Sequence, residues 1–147
     1  MTQLSPEPPR EGPLLGVDPG EKRVGLALSD PRQVVSRPLE TVSRRWDSLR
    51  ARLDAVIVEH GVVGIVVGLP LREDGTRGKQ AQRSETLAFL IEKEWPEIPV
   101  TLCDERWSSD EADARLAAAN QTERAAGRDA AAAAIVLQSH LDSRMPS

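Results

Sequence analysis

The chain has 147 residues, 39% hydrophobic and 29% charged, with a formal net charge of −4 and a single cysteine. That length suits one domain with a substantial core, and is too short for two lobes that close on a nucleotide. The composition excludes disorder along the whole chain, a membrane span of ~20 apolar residues, and an internal disulfide or Cys-rich zinc site.

Met1 to Pro13 is rich in Pro and Glu, lacks the apolar stretch of a secretory signal, and reads as a disordered tail on a cytoplasmic protein. Leu14 to Asp18 is a short apolar run ending in a carboxylate, the pattern of a buried strand. Pro19-Gly20-Glu21-Lys22-Arg23 is a tight turn, and Val24 to Ser29 returns as the second strand of a hairpin. Val34 to Val42 is an edge strand, because Pro38 cannot donate to a ladder.

Trp46 to His60 is a helix, with Trp46, Leu49, Leu53, Val56 and Ile57 on one face and Gly61 at its end. Val62 to Leu69 is almost wholly apolar, as in a strand covered on both faces. A polar loop from Pro70 to Gly78 leads to a helix from Lys79 to Trp95. Val100 to Asp104 is a short strand, and Ser108 or Ser109 caps a helix running to about Ala119. After a loop from Asn120 to Gly127, Arg128 to Leu141 is the last helix, whose small residues Ala130 to Ala134 permit close approach to the sheet. The expected fold is therefore α/β: a mixed central sheet, antiparallel hairpin strands then parallel strands, flanked by helices. One domain spans 14–142, with a short tail after it.

Charge is unevenly spread. Gly20 to Arg52 carries eight basic residues against four acids, whereas Glu85 to Asp113 carries nine acids against two basic residues. Local patches decide where a polyanion docks, so the net charge does not exclude a nucleic-acid partner; an ordinary solvated surface explains the same distribution equally well.

Three carboxylates occupy informative positions. Asp18 ends the first strand, Glu105 follows the Val100 strand, and Asp129 lies in the first turn of the last helix. If the two strands are parallel, Asp18 and Glu105 emerge at one sheet edge, where open α/β sheets bind ligands. A helix crossing that edge brings Asp129 there too. Gathered carboxylates repel unless a cation neutralises them, and oxygen-only donors select hard ions such as Mg²⁺ or Mn²⁺, two of which can activate a water and stabilise the leaving oxygen of a phosphodiester. Plainer readings exist for each: a turn-opening Asp18, a solvated Glu105, an Asp129 that serves only the helix dipole. His60, His140 and Cys103 lack ligand or catalytic patterning, no serine has the flanking glycines of a nucleophile elbow, and the absence of tyrosine excludes a tyrosine nucleophile.

The motifs resemble the YqgF/RuvX family. Leu15-Gly16-Val17-Asp18 with Lys22-Arg23-Val24-Gly25-Leu26-Ala27-Leu28-Ser29-Asp30 is similar to its opening motif. Val66-Val67-Gly68-Leu69-Pro70 with Asp74-Gly75-Thr76 and Gly78 is similar to its second block, and Asp104-Glu105-Arg106-Trp107-Ser108-Ser109 to its third. Asp129 with Ala130-Ala131-Ala132 and Ile135-Val136-Leu137-Gln138 is similar to its fourth. The chain departs from the family at Pro19-Gly20-Glu21, where Gly-Thr is common, at Trp107, where Leu is usual, and in a less basic loop before Asp129.

The resemblance implies a ribonuclease H-like fold and a metal-dependent nuclease acting on four-way DNA junctions or on the 5′ end of pre-16S rRNA. It implies Asp18, Glu105 and Asp129 as the catalytic, metal-holding acids, with Mg²⁺ or Mn²⁺. Lys22, Arg23, Arg72, Arg77, Lys79, Arg106 and Arg128 are the expected nucleic-acid contacts, with Gly75 and Gly78 letting the loop approach a strand. Paired cuts in a junction would call for a homodimer. Two other classes fit less of the sequence. A silent binding module would not need all three acids. A fragment of an actin-like phosphotransferase would explain Gly16-Val17-Asp18-Pro19-Gly20, but leaves no second lobe to close on a nucleotide.

Overall fold

In the computed structural model, which describes residues 7–20, 22–71, 74–105 and 127–144, the strands form one mixed sheet. Leu14–Pro19 (β1) and Arg23–Ser29 (β2) make the expected antiparallel hairpin. Ser36–Ser43 (β3) joins β2 at the edge, and Pro38 sits where the register shifts between Leu26 and Ala27. Gly64–Pro70 (β4) and Val100–Glu105 (β5) extend the other side in parallel, giving the order β3-β2-β1-β4-β5. Glu105 is thus the last residue of its strand rather than the first beyond it.

The two-residue alternation of the strands divides the core. Leu15 and Val17 of β1, Val24 and Leu26 of β2, and Ile65 and Val67 of β4 pack with Trp46–His60 (α1) and Lys79–Glu94 (α2). Leu14, Ala27, Val66 and Cys103 belong to a second cluster with Arg128–Arg144 (α3). The near-continuous apolar run of β4 is explained by burial on both faces. Helix α1 spans the expected residues and ends at Gly61, whose N–H donates to the Ile57 carbonyl.

Helix α3 is fastened along its length. Ala130 to Ala134 are all buried, as expected of a helix lying close on the sheet. The Ser36 hydroxyl donates to the Ala134 carbonyl at 2.6 Å, and the Gln138 amide donates to the Val34 carbonyl at 3.0 Å. The helix continues past Leu141 to Arg144, which donates to the Pro8 carbonyl at 2.9 Å. Gln33 donates to the carbonyls of Pro9 and Gly12. Residues 7–13, expected as tail, therefore lie against the domain, with Pro8 buried. The helix expected between Ser108 and Ala119 lies outside the described residues. No helix among the described residues is long and apolar enough to cross a membrane.

Candidate active site at the carboxyl edge of the sheet

Strands β1, β4 and β5 run parallel, so their carboxyl ends share one edge. Asp18 stands there on β1, on the same face as Gly16, against which Leu137 of α3 packs. Glu105 stands there on β5, its backbone paired with Pro70 at the end of β4.

Gly25 brings the third acid in. It is the cross-strand partner of Asp18. A Cβ at this position would lie 1.8 Å from the Asp129 carbonyl oxygen, so any side chain there would displace the start of α3. With glycine, the first turn of α3 rests directly on β2 beside Asp18. Asp18 is half-buried, and its pKa is raised to about 7 by burial first and by the negative charge of Asp129 second. Two of the three expected acids are thus electrostatically coupled, despite their separation in sequence.

One cation already answers part of this charge. Arg23 Nε lies 3.2 Å from Asp129 Oδ2, with the Arg23 side chain 69% exposed. Arg23 is expected as a phosphate contact; the hairpin register also places it to pair with the acid. Lys22 is exposed on the same turn, and Arg128 is exposed beside Asp129. Arg77 forms an ion pair with Glu85 of α2, and Lys79 opens α2 with an exposed side chain. Arg72 and Arg106 lie outside the described residues.

The donor set suits a hard divalent ion. Asp18 and Asp129 offer only oxygen, and a cation bound there would relieve their mutual repulsion. Among the described residues no trio of His, Cys, Asp or Glu side chains is gathered to hold a metal. His140, which patterning set aside as a ligand, lies buried on α3 with its pKa lowered to about 4, chiefly by burial and then by the charge of Arg144.

Sequence reasoning missed one feature of this edge. Arg44, Trp46 and Arg83 line a cleft with Lys79 and Pro19, the residue after Asp18. The cleft forms only when α1 and α2 pack side by side, which no local pattern encodes.

The family model described as "RuvX: Holliday junction resolvase" matches residues 12–143. A relative from Geobacillus kaustophilus, named "Putative pre-16S rRNA nuclease", is 41% identical over 135 residues, covering 88% of this chain and 97% of the relative. One of the same name from Kineococcus radiotolerans is 42% identical over 138 residues, covering 91% and 73% respectively. Among solved structures, RuvC of T. thermophilus in complex with a Holliday junction substrate superposes with a TM-score of 0.54 at 18% identity, over 91% of this chain and 96% of that one. The fowlpox virus resolvase, also solved with Holliday junction DNA, gives 0.57 at 11% identity, over 91% and 99%. At these identities the structures speak for the fold, which is ribonuclease H-like. The family match and the curated relatives go further: the chain belongs to the RuvX family of nucleases.

Proposed function

We propose that the chain is a metal-dependent endonuclease that cleaves phosphodiester bonds in structured nucleic acid, either four-way DNA junctions or the 5′ end of pre-16S rRNA, in the cytoplasm. The observation that carries this reading is the seating of Asp129 directly over Gly25, the cross-strand partner of Asp18, at the carboxyl edge. Burial, and then the charge of Asp129, raise the Asp18 pKa to about 7, an arrangement that a divalent cation would relieve. Asp18 and Asp129, with Glu105, would hold Mg²⁺ or Mn²⁺. When bound, such ions supply an activated water and stabilise the leaving oxygen of the phosphodiester.

The chain's own residues supply position and charge. The hydrogen bonds of α3 to Ser36 and Val34 hold Asp129 over Gly25, so the carboxylates meet a substrate in a fixed arrangement. Arg23, shared with Asp129, and the exposed Lys22 and Arg128 surround that point with positive charge suited to the flanking phosphates. Lys79, exposed at the start of α2, and Arg77, paired with Glu85, are further candidate phosphate contacts, as are Arg72 and Arg106, which lie outside the described residues. Paired cuts across a junction would require a second copy, which a homodimer supplies.

A cleavage panel tests the reading: four-way DNA junction, duplex DNA, single-stranded RNA and a pre-16S fragment, each with Mn²⁺ and with EDTA. Cleavage of the junction or the pre-16S fragment that stops in EDTA is expected. Cleavage undiminished by chelator would remove the metal. Tight binding without cleavage of any substrate would leave a binding module.

A further inference from the structure

A cleft of about 540 Å³ opens on the α1 and α2 side of the sheet, next to the carboxylate edge. Its walls include Pro19, Arg44, Trp46, Lys79, Arg83 and Leu90. Arg44, Lys79 and Arg83 bring cationic groups to this lining. Trp46 is half-buried, packed against the core on one side and lining the cleft. Leu90 stays 39% exposed. The cleft therefore joins an aromatic and apolar surface to a cationic rim at a volume typical of small-molecule sites.

That combination matches one chemical object. A nucleotide has a flat base that stacks on an aromatic ring and a phosphate that seeks Arg and Lys. In a duplex the base faces are hidden by their neighbours, so only an unpaired nucleotide offers both. We propose that this cleft receives an unpaired nucleotide of a bound strand, its base against Trp46 and its phosphate at Arg44 and Arg83. Pro19 follows Asp18 directly and forms part of the cleft wall, so a strand lying at the carboxylates enters the cleft by crossing the end of β1. The occupant's link to the carboxylate edge rests on the nuclease reading; the cleft's preference for unpaired over paired strands does not. The cleft would favour substrates with an unpaired segment beside the cut.

The test separates the two claims. Fluorescence anisotropy in EDTA measures the affinity of a labelled single-stranded hexanucleotide, a blunt duplex and a labelled nucleoside monophosphate, for the parent, Trp46→Phe and Arg83→Gln. Melting curves check folding, and Arg83→Gln on the cleft rim keeps the test open should Trp46→Phe unfold. Each variant is expected to lose at least about fivefold in hexanucleotide affinity while duplex affinity holds within about twofold. Folded variants that bind the hexanucleotide as the parent does, or lose hexanucleotide and duplex alike, would overturn the cleft. So would a monophosphate that binds as tightly as the hexanucleotide, which makes the cleft a free-nucleotide site. Cleavage with Mn²⁺ is scored separately on the parent. A parent that cuts nothing yet shows the expected binding pattern loses the nuclease reading and keeps the cleft.

Discussion

Arg23 lends its guanidinium to Asp129, 3.2 Å away, so the charge beside Asp18 is partly balanced by the chain itself. An exposed pair of this kind is weak and exchanges partners readily. Arg23 would therefore compete with a divalent cation for Asp129, and would be free to turn to a phosphate if such a cation were bound. Arg23→Gln should tighten Mn²⁺ binding by about two- to fivefold in calorimetry, while weakening nucleic-acid binding and flattening its salt dependence. Weaker Mn²⁺ binding in the variant would show that the guanidinium supports the site instead of competing for it.

Asp18 makes the metal-free protein less stable as pH rises. The folded chain keeps a proton on this group up to about pH 7, whereas an unfolded carboxylate releases it near its ordinary value of 3.8. Between those values the folded state binds more protons, so stability falls with rising pH, and the penalty is complete above pH 7. Asp18→Asn removes it. Without metal, the variant should be more stable than the parent at pH 8 by on the order of 2 kcal/mol, with little gain at pH 4. Urea titrations at both pH values measure this, and an equal difference at both would contradict the coupling.

His140 works in the opposite direction. Burial and the charge of Arg144 lower its pKa to about 4, so the unfolded chain takes up a proton first as pH falls below its ordinary value of 6.5. Stability from this group is complete above pH 6.5 and is lost toward pH 4. His140→Leu should reduce acid sensitivity in that window by up to about 2 kcal/mol after allowing for altered packing. The check is the difference in unfolding free energy between pH 7 and pH 5, which should be smaller in the variant.

Gly25 is the steric condition for the site. Gly25→Ala sets a methyl group where the Asp129 carbonyl now lies, so α3 must retreat or the strand must bend. Overpacking of this kind costs about 1–3 kcal/mol or more. Melting temperature should fall, and cleavage should fall further than the loss of folded protein accounts for, because Asp129 leaves Asp18. Parent-like melting and cleavage would show that the contact is soft.

The sequence made local features legible and left their meetings hidden. Helix α1 was readable to the residue because its apolar stripe and Gly61 are both local signals. The hairpin followed from Pro19-Gly20, and β4 from its unbroken apolar run. Asp18 and Asp129 stood out by their places at a strand end and a helix start. What pattern does not carry is which groups face each other across the sheet. The pairing of Arg23 with Asp129 depends on α3 lying over Gly25, and the cleft at Trp46 on the packing of α1 beside α2. Residues 7–13 illustrate the same point: their Pro-rich composition suggests a tail, while the carbonyls of Pro8, Pro9 and Gly12 accept hydrogen bonds from Arg144 and Gln33, which lie far along the chain.

The most direct test of the carboxylate site is single-turnover cleavage by Asp129→Asn with Mn²⁺, measured beside its melting temperature and nucleic-acid affinity. The substitution keeps a side-chain oxygen at the helix start and removes the charge. A residue that served only the helix would cost ~1 kcal/mol of stability or less and leave the rate intact. As part of a metal-holding cluster, Asp129→Asn should stay folded, bind nucleic acid through its Arg and Lys residues, and lose cleavage by at least about a hundredfold. A folded variant that cuts at the parent rate would contradict the account and reduce Asp129 to the first turn of α3.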